Sequence, residues 1–233
     1  MPGSSRPVGR PSLITREDIV RAGCELGMNQ LRISAVASAL GVSTAALYRH
    51  VEGRWELERL VGERLLDNLR VVDDPQHDAA AFLVSFAVQL RRFVADHPGL
   101  ASYMLVLFPR GESSARLISD QVAALVRRGH STDAAVTILG AIARLTLSLV
   151  AADEQRNAVN DDAAFLSEHQ AAHQVLAGLG DLGSAYERRW VLTDDEYFTL
   201  LITTVVRGVA SAALPGKPLN EVVADMHEER DRR

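Results

Sequence analysis

Apolar residues recur at three- and four-residue intervals along almost the whole chain, and alternating β-branched runs are scarce. The pattern predicts helices. Thr15-Arg-Glu-Asp18 has the form of a capping box and opens a first helix, with Ile19, Ala22 and Leu26 on one face, ending near residues 26–27. A short second helix is expected over residues 34–40, where Val36, Ala37 and Leu40 make one apolar stripe. A break at Gly41-Val42 follows, and Ser43 opens a third helix. The fourth, residues 54–69, starts from Gly53 and has Leu57, Leu60, Val61, Leu65 and Leu69 as its buried stripe. Asp73-Asp74-Pro75-Gln76-His77 then breaks the pattern and marks a domain boundary.

Further helices are expected over residues 79–95 (Phe82, Phe86, Leu90 and Phe93) and, after His97-Pro98-Gly99, over 100–108. The next runs from Ser113 or Ser114 to Gly129, with Arg127 and Arg128 favourably placed in its last turn. Ser131 or Thr132 opens a long helix to residue 150, and another covers 163–179. Thr193-Asp-Asp-Glu196 starts the last, residues 197–214, which Pro215-Gly216 ends. Residues 153–162 read as polar linker, the surroundings of Gly180 and Gly183 as a loop, and the segment from Lys217 as a frayed tail. Residues 134–150 and 197–214 are apolar on more than one face and require burial on several sides. Their small residues (Gly140, Ala141, Ala143; Gly208, Ala210, Ser211, Ala212) permit close helix approach. The fold class is all-α: a flexible basic arm (1–14), a small head (15–72), a larger helical body (73–216) and a charged tail (217–233).

Within the head, two short helices joined across Gly41 form either a helix-turn-helix or an ordinary αα-corner. The helix after Ser43 exposes Thr44, Ala45, Tyr48 and Arg49 and turns Leu47 and Val51 inward, a face suited to a major groove and its phosphate walls. The run Gly41-Val-Ser-Thr-Ala-Ala-Leu-Tyr-Arg-His-Val51, followed by Gly53-Arg-Trp-Glu-Leu57, resembles the signature of the tetracycline-repressor (TetR) family of bacterial transcription regulators. The resemblance covers roughly residues 10–70, and two departures stand out. The usual spacing from the first helix to the Ala37 segment is about one turn longer than here, which places the end of that helix near residues 26–27. Arg32 occupies a place where the family has a capping Ser or Thr, so that Ser34 caps instead or Arg32 reaches a phosphate.

That resemblance implies a ligand-responsive repressor of an N-terminal helix-turn-helix DNA-binding domain plus a larger C-terminal ligand-binding and dimerisation domain. A homodimer would hold two recognition helices one DNA turn apart, and a small effector in the body would spread them through the fourth helix. Ser43, Thr44, Ala45 and Ala46 would face bases or nearby phosphates of a double-stranded operator, with Ser34 approaching from the preceding helix. Tyr48, His50 and Arg54 would hold phosphates, and Arg49 either. The segments 134–150 and 197–214 would supply the dimer interface; burial inside a monomer core is the alternative.

Charge refines this picture. The chain carries a net −5, yet residues 1–60 hold eight Arg against six acidic residues, and the first 16 residues are +3. A basic head on an acidic body suits a head that meets DNA. Gly9-Arg10-Pro11 resembles the core of a minor-groove arm, or is simple tail. The single Cys24 excludes an internal disulfide. No N-terminal apolar core marks a signal, and Arg144 at the centre of residues 134–152 argues against a membrane span, so a cytoplasmic protein is expected.

Candidate chemistry is sparse. His169 and His173 share a helical face at metal-chelating spacing, but no third ligand is near, and no metal or other cofactor is assigned. Nucleophile elbow and phosphate loop are absent, which argues against an enzyme. Arg144 must meet a carboxylate, a dimer mate or an anionic ligand. Tyr103, Phe108, Phe165 and Trp190 are candidate pocket residues beside it, with core packing the commoner use of such aromatics, for an apolar effector held by few polar groups. A helical adaptor that keeps a helix-turn-helix for packing is the rival reading.

Overall fold

A computed structural model of the chain describes residues 14–106, 108–189 and 191–232. Those residues form α1 (Arg16–Leu26), α2 (Ile33–Ala39), α3 (Thr44–Leu47), α4 (Arg54–Leu66), α5 (Ala79–Ala95), α6 (Leu100–Val106) and α7 (Glu112–Arg127). Then follow α8 (Thr132–Asn157), α9 (Ala163–Ala177), α10 (Asp181–Arg189), α11 (Asp194–Ala212) and α12 (Leu219–Asp231). The fold is all-α, with an N-terminal helix-turn-helix and a larger C-terminal helical part.

Local chemistry fixes the head. Thr15 Oγ1 accepts from Asp18 N (3.1 Å) and Asp18 Oδ2 accepts from Thr15 N (3.0 Å), the reciprocal cap the sequence predicts. Helix α2 starts one residue earlier than expected. Arg32 stands at its N-cap without a side-chain bond, so Ser34 does not cap; it lies exposed in the first turn. At the other end Gly41 takes φ +66°, with Gly41 N bonded to Ser38 O and Val42 N to Ala37 O. This Schellman closure needs a left-handed residue and sends the chain sharply into α3. Ser43 Oγ then accepts from Ala46 N (3.3 Å). Ile19, Val36, Leu47, Val51, Leu57 and Val61 close the head's core, which runs on into that of the body through Leu65, Leu66 and Leu69.

Several boundaries in the body differ from expectation. Helix α4 ends at Leu66, although Leu69 is still buried in the turn beyond. Helix α8 runs two turns past residue 150, because Asp153 pairs with Arg156 and Glu154 reaches the Gly99 N–H (3.1 Å), giving those polar residues uses on a helix. The expected loop near Gly183 is helix α10; only Gly180, at φ +58°, makes the break from α9. The charged tail is helix α12, anchored by buried Val222 and the Lys217–Asp225 pair. Residues 1–13, including Gly9-Arg10-Pro11, lie outside the described residues, as does Trp190.

Helix α8 is the body's central helix, packed against α5, α6, α7 and α11. Among the described residues it alone is long and apolar enough to cross a membrane by length and composition, and half of its most apolar window is buried by these neighbours. The segment joining α4 to α5 is gripped by Arg128. Its guanidinium bonds Asp73 Oδ1 (2.5 Å), Asp74 O (2.9 Å) and His77 O (3.0 Å), and lies 4.5 Å over the Phe82 ring. Arg128 holds the Asp73 carboxyl below the usual carboxylate range.

His130, buried at the α7–α8 turn, has no partner for Nδ1. Burial lowers its pKa, because a charged imidazolium would lose its hydration there. Below the ordinary histidine value of about 6.5 the unfolded chain therefore binds a proton that the native chain resists, so this group removes stability as pH falls. Thermal midpoints should drop between pH 7.5 and 5.5, and His130→Leu should reduce that drop relative to the unsubstituted chain.

Candidate DNA-binding surface and effector cavity

The turn after α2 presents its polar side outward. Ser43, Thr44, Ala45 and Arg49 are exposed, Tyr48 is 58% exposed, and Ala46 and His50 are half-buried. Leu47 and Val51, both buried, fix this register. Helix α3 is only one turn long before residues 48–50 turn away, shorter than the pattern suggested. Arg54 opens α4 beside this surface, exposed, with Nε on Glu58 Oε1 (2.5 Å) and its guanidinium 5.5 Å from the Trp55 ring centroid. Arg32 and Arg49 are exposed and have no carboxylate partner among the described residues. Ser34, Ser43, Thr44, Ala45, Tyr48, Arg49 and Arg54 are thus all exposed, on α2, on α3 and its turn, and at the start of α4.

Helix α4 ties this surface to the body. On its head side Arg64 makes a bidentate pair with Glu17 (2.7 Å each), and Glu56 accepts from Glu52 N (2.6 Å) while pairing with Arg16. On its body side Gly62 lies against Tyr103, where an added Cβ would stand 2.5 Å from the ring. Helix α7 has Gly111 at its N-cap; Ser114 Oγ accepts from the Gly111 N–H (3.1 Å), but glycine brings no side-chain acceptor for the N–H groups of the first turn. Glu63 of α4 supplies one: Oε2 accepts from Ser113 N (2.8 Å) and Ser114 N (3.2 Å). One turn on, Asp67 accepts from Ser113 Oγ (2.6 Å) and pairs with Arg116 (2.8 Å).

Between α5, α6, α7 and α8 lies a cavity of about 220 Å³, lined by fourteen residues that include Phe86, Phe108, Ile118, Gln121 and Leu147. Phe108 and Arg144, both expected at a pocket, line it together. Tyr103 does not; it is buried under α4, its hydroxyl has no partner, and burial pushes the phenol up to about 12. The inference that Arg144 is a buried charge also needs correction. Its side of α8 faces outward, so the guanidinium is exposed at the cavity and meets no carboxylate of the described residues. Gly140 and Ala143 line the cavity as well, which gives them a use other than a helix seam. Glu63, Asp67 and Gln121 escaped the sequence reading. A helix opening on Gly111 without its own cap was the available sign of Glu63.

His169 and His173 lie on α9 with ring centroids 4.4 Å apart, and Phe165 stacks on His169 at 5.9 Å. No group of three potential metal ligands occurs among the described residues.

A one-turn helix presented beyond a Schellman corner, on a helical body with a cavity, defines a helix-turn-helix regulator. The family model described as "Tetracyclin repressor-like, C-terminal domain" matches residues 73–212, and the chain belongs to that family of transcriptional regulators. An uncharacterised HTH-type transcriptional regulator of Mycobacterium tuberculosis is 31% identical over 103 residues, which span 40% of this chain and only 46% of that protein. Apo ActR from Streptomyces coelicolor has a similar structure (TM-score 0.72, 20% identity, 88% of this chain and 98% of that one). So does ActR in complex with actinorhodin (TM-score 0.71, 20% identity, 88% and 100%). A TetR variant from Acinetobacter baumannii AYE in complex with minocycline is similar too (TM-score 0.67, 20% identity, 88% and 96%).

Capping of α7 from α4 has a measurable consequence. Glu63→Ala leaves two first-turn N–H groups without an acceptor and should lower the unfolding free energy by about 1–2 kcal/mol. Glu63→Gln keeps a carbonyl acceptor and should recover most of it in urea titrations.

Proposed function

We propose that the chain is a ligand-responsive repressor which binds a palindromic operator in the cytoplasm as a homodimer and leaves it when a small, largely apolar molecule occupies the body cavity. One observation carries this reading. The wall of the cavity and the base of the DNA-facing surface are joined through polar contacts of Glu63 and Asp67 of α4 with the N-terminal turn of α7. A molecule that wedges against Leu117, Ile118 or Gln121 tilts α7, and α4 follows its cap. Release requires tighter binding to the DNA-free arrangement, since equal affinity for both arrangements shifts nothing. The actinorhodin and minocycline complexes of proteins with this fold support a small-molecule effector.

On the DNA side, Thr44 and Ala45 would meet base edges, the alanine methyl suiting a thymine methyl, with Ser43 and Ala46 beside them. Tyr48, Arg49, His50 and Arg54 would hold phosphates, joined by Ser34 and Arg32 from α2. Residues 15–72 act as the DNA-binding unit and 73–216 as the effector and dimerisation unit. Arg49→Ala or Arg54→Ala should weaken binding to every duplex and reduce the salt slope by about one each. Thr44→Val should change which sequence from the gene's own upstream region is preferred. Wild-type affinity and specificity in all three, measured by fluorescence anisotropy, would favour the adaptor reading.

The dimer is assigned to α8 and α11. Leu200, Thr204, Gly208 and Ser211 form an exposed stripe on α11, and a side chain added at Gly208 meets nothing in the protomer. Gly208→Arg should therefore fold as a protomer but place a charge in a close-packed seam at a cost of several kcal/mol. Sedimentation should show a monomer without operator affinity; a folded mutant dimer would move the interface elsewhere.

A further inference from the structure

We infer that the body cavity takes a monoanionic, mainly apolar organic molecule carrying a second hydrogen-bonding group, the anion on Arg144 and the second group on Gln121. This rests on the cavity being the effector site and adds the chemical class of the effector. Of the fourteen lining residues only these two have polar side chains. Among the described residues no His, Asp or Glu lines the cavity, so none of its side chains offers a partner for a cation. Arg144 presents an exposed guanidinium with no carboxylate partner among the described residues at the edge of an apolar cavity, where a carboxylate or phenolate gains a charge-assisted bond while its apolar body is buried.

Gln121 supplies the second point. Its side chain is 6% exposed, and its amide bonds to no described residue, with Oε1 sealed from solvent. A buried primary amide without partners is a strong local demand for one. Rotation about its terminal torsion turns either the oxygen or the NH2 to the cavity, so a ligand hydroxyl or carbonyl meets it equally well. The volume sets the size. A cavity of about 150 Å³ holds benzene, so about 220 Å³ admits two fused rings with small substituents.

Four naphthalenes test this by titration of the full-length protein at pH 7: 6-hydroxy-2-naphthoic acid, 2-naphthoic acid, 2-naphthol and 2-(aminomethyl)naphthalene. The hydroxy acid should bind best, each compound lacking one group about tenfold more weakly, and the ammonium compound worst. Arg144→Met should reduce the hydroxy acid to the level of naphthol and leave naphthol unchanged, whereas Arg144→Lys retains part of the gain. Gln121→Leu should reduce it to the level of 2-naphthoic acid and leave that acid unchanged. Naphthol binding as tightly as the acids, or unaltered acid affinity in Arg144→Met, overturns the inference while the cavity reading stands. An Arg144→Met monomer with wild-type acid affinity also overturns it, assigning the guanidinium to the partner copy. The cavity reading fails separately. If no naphthalene binds, or if all bind unchanged in Gly140→Phe, whose new side chain has open space to enter the cavity, then the effector site lies elsewhere and the inference falls with it.

Discussion

Gly111 brings no side chain to the N-cap of α7, so the first-turn N–H groups of that helix are satisfied by Glu63, a residue of α4 fifty positions earlier. Helix termini leave donors that must be satisfied, and here the acceptor belongs to the helix that carries the head. A Cβ at residue 111 would stand 2.5 Å from Glu63 Oε2, so a larger residue there displaces the carboxylate from its cap. The body cannot reposition α7 without either breaking a charge-assisted cap or taking α4 with it. Breaking it strands a carboxylate and two N–H groups, so moving together is the cheaper response.

The rest of α4 is arranged to transmit rather than absorb such a shift. Gly62 brings the helix onto the Tyr103 ring, while Val61 and Leu57 are fully packed against the head core. Glu17–Arg64 and Arg16–Glu56 fasten α1 to the same helix. Interiors packed at crystal-like density shift as units instead of compressing. Beyond Leu66 the chain has no helix until Ala79, and there Arg128 grips the Asp73–His77 segment. Motion is therefore constrained at both ends of this connection.

Most of the helices were legible because caps and periodicity are local. Thr15, Ser43, Asp78, Ser131 and Thr193 mark helix starts by side chains that bond their own first turn. Errors arose where the deciding partner is distant. Polar residues 153–157 read as linker because the Gly99 amide that receives Glu154 is more than fifty residues away. Arg128 read as a dipole partner, although its bonds are to a linker that only the fold brings near. For the site, exposure on the recognition turn followed from inward Leu47 and Val51, and Phe108 with Arg144 from the apolar run around them. Tyr103 lies apart from the cavity that Phe108 and Arg144 share, since α4 passes over it at Gly62, which nothing in the sequence shows. Gln121 was missed because a lone polar residue on an amphipathic helix carries no sign of its burial.

Twenty-five basic residues in a chain of net charge −5 do not by themselves point to any partner. Many are neutralised within the protein: Arg91 by Asp195, Arg116 by Asp67, Arg127 and Arg128 by Asp73. Unpaired ones also occur away from either site, as at Arg92 and Arg207, where water solvates them at little cost. Meaning therefore comes from what surrounds a free guanidinium. Near Arg32 and Arg49 in the chain stand exposed hydroxyls, a methyl and an exposed phenol, which fits a groove with phosphate walls. At Arg144 the neighbours are aliphatic and aromatic walls of a concavity, so an anion with an apolar body can pair with the exposed guanidinium and bury the rest of its surface. On the proposed reading one residue type would serve two recognitions, and what surrounds the guanidinium, a polar exposed turn or an apolar concavity, would decide which.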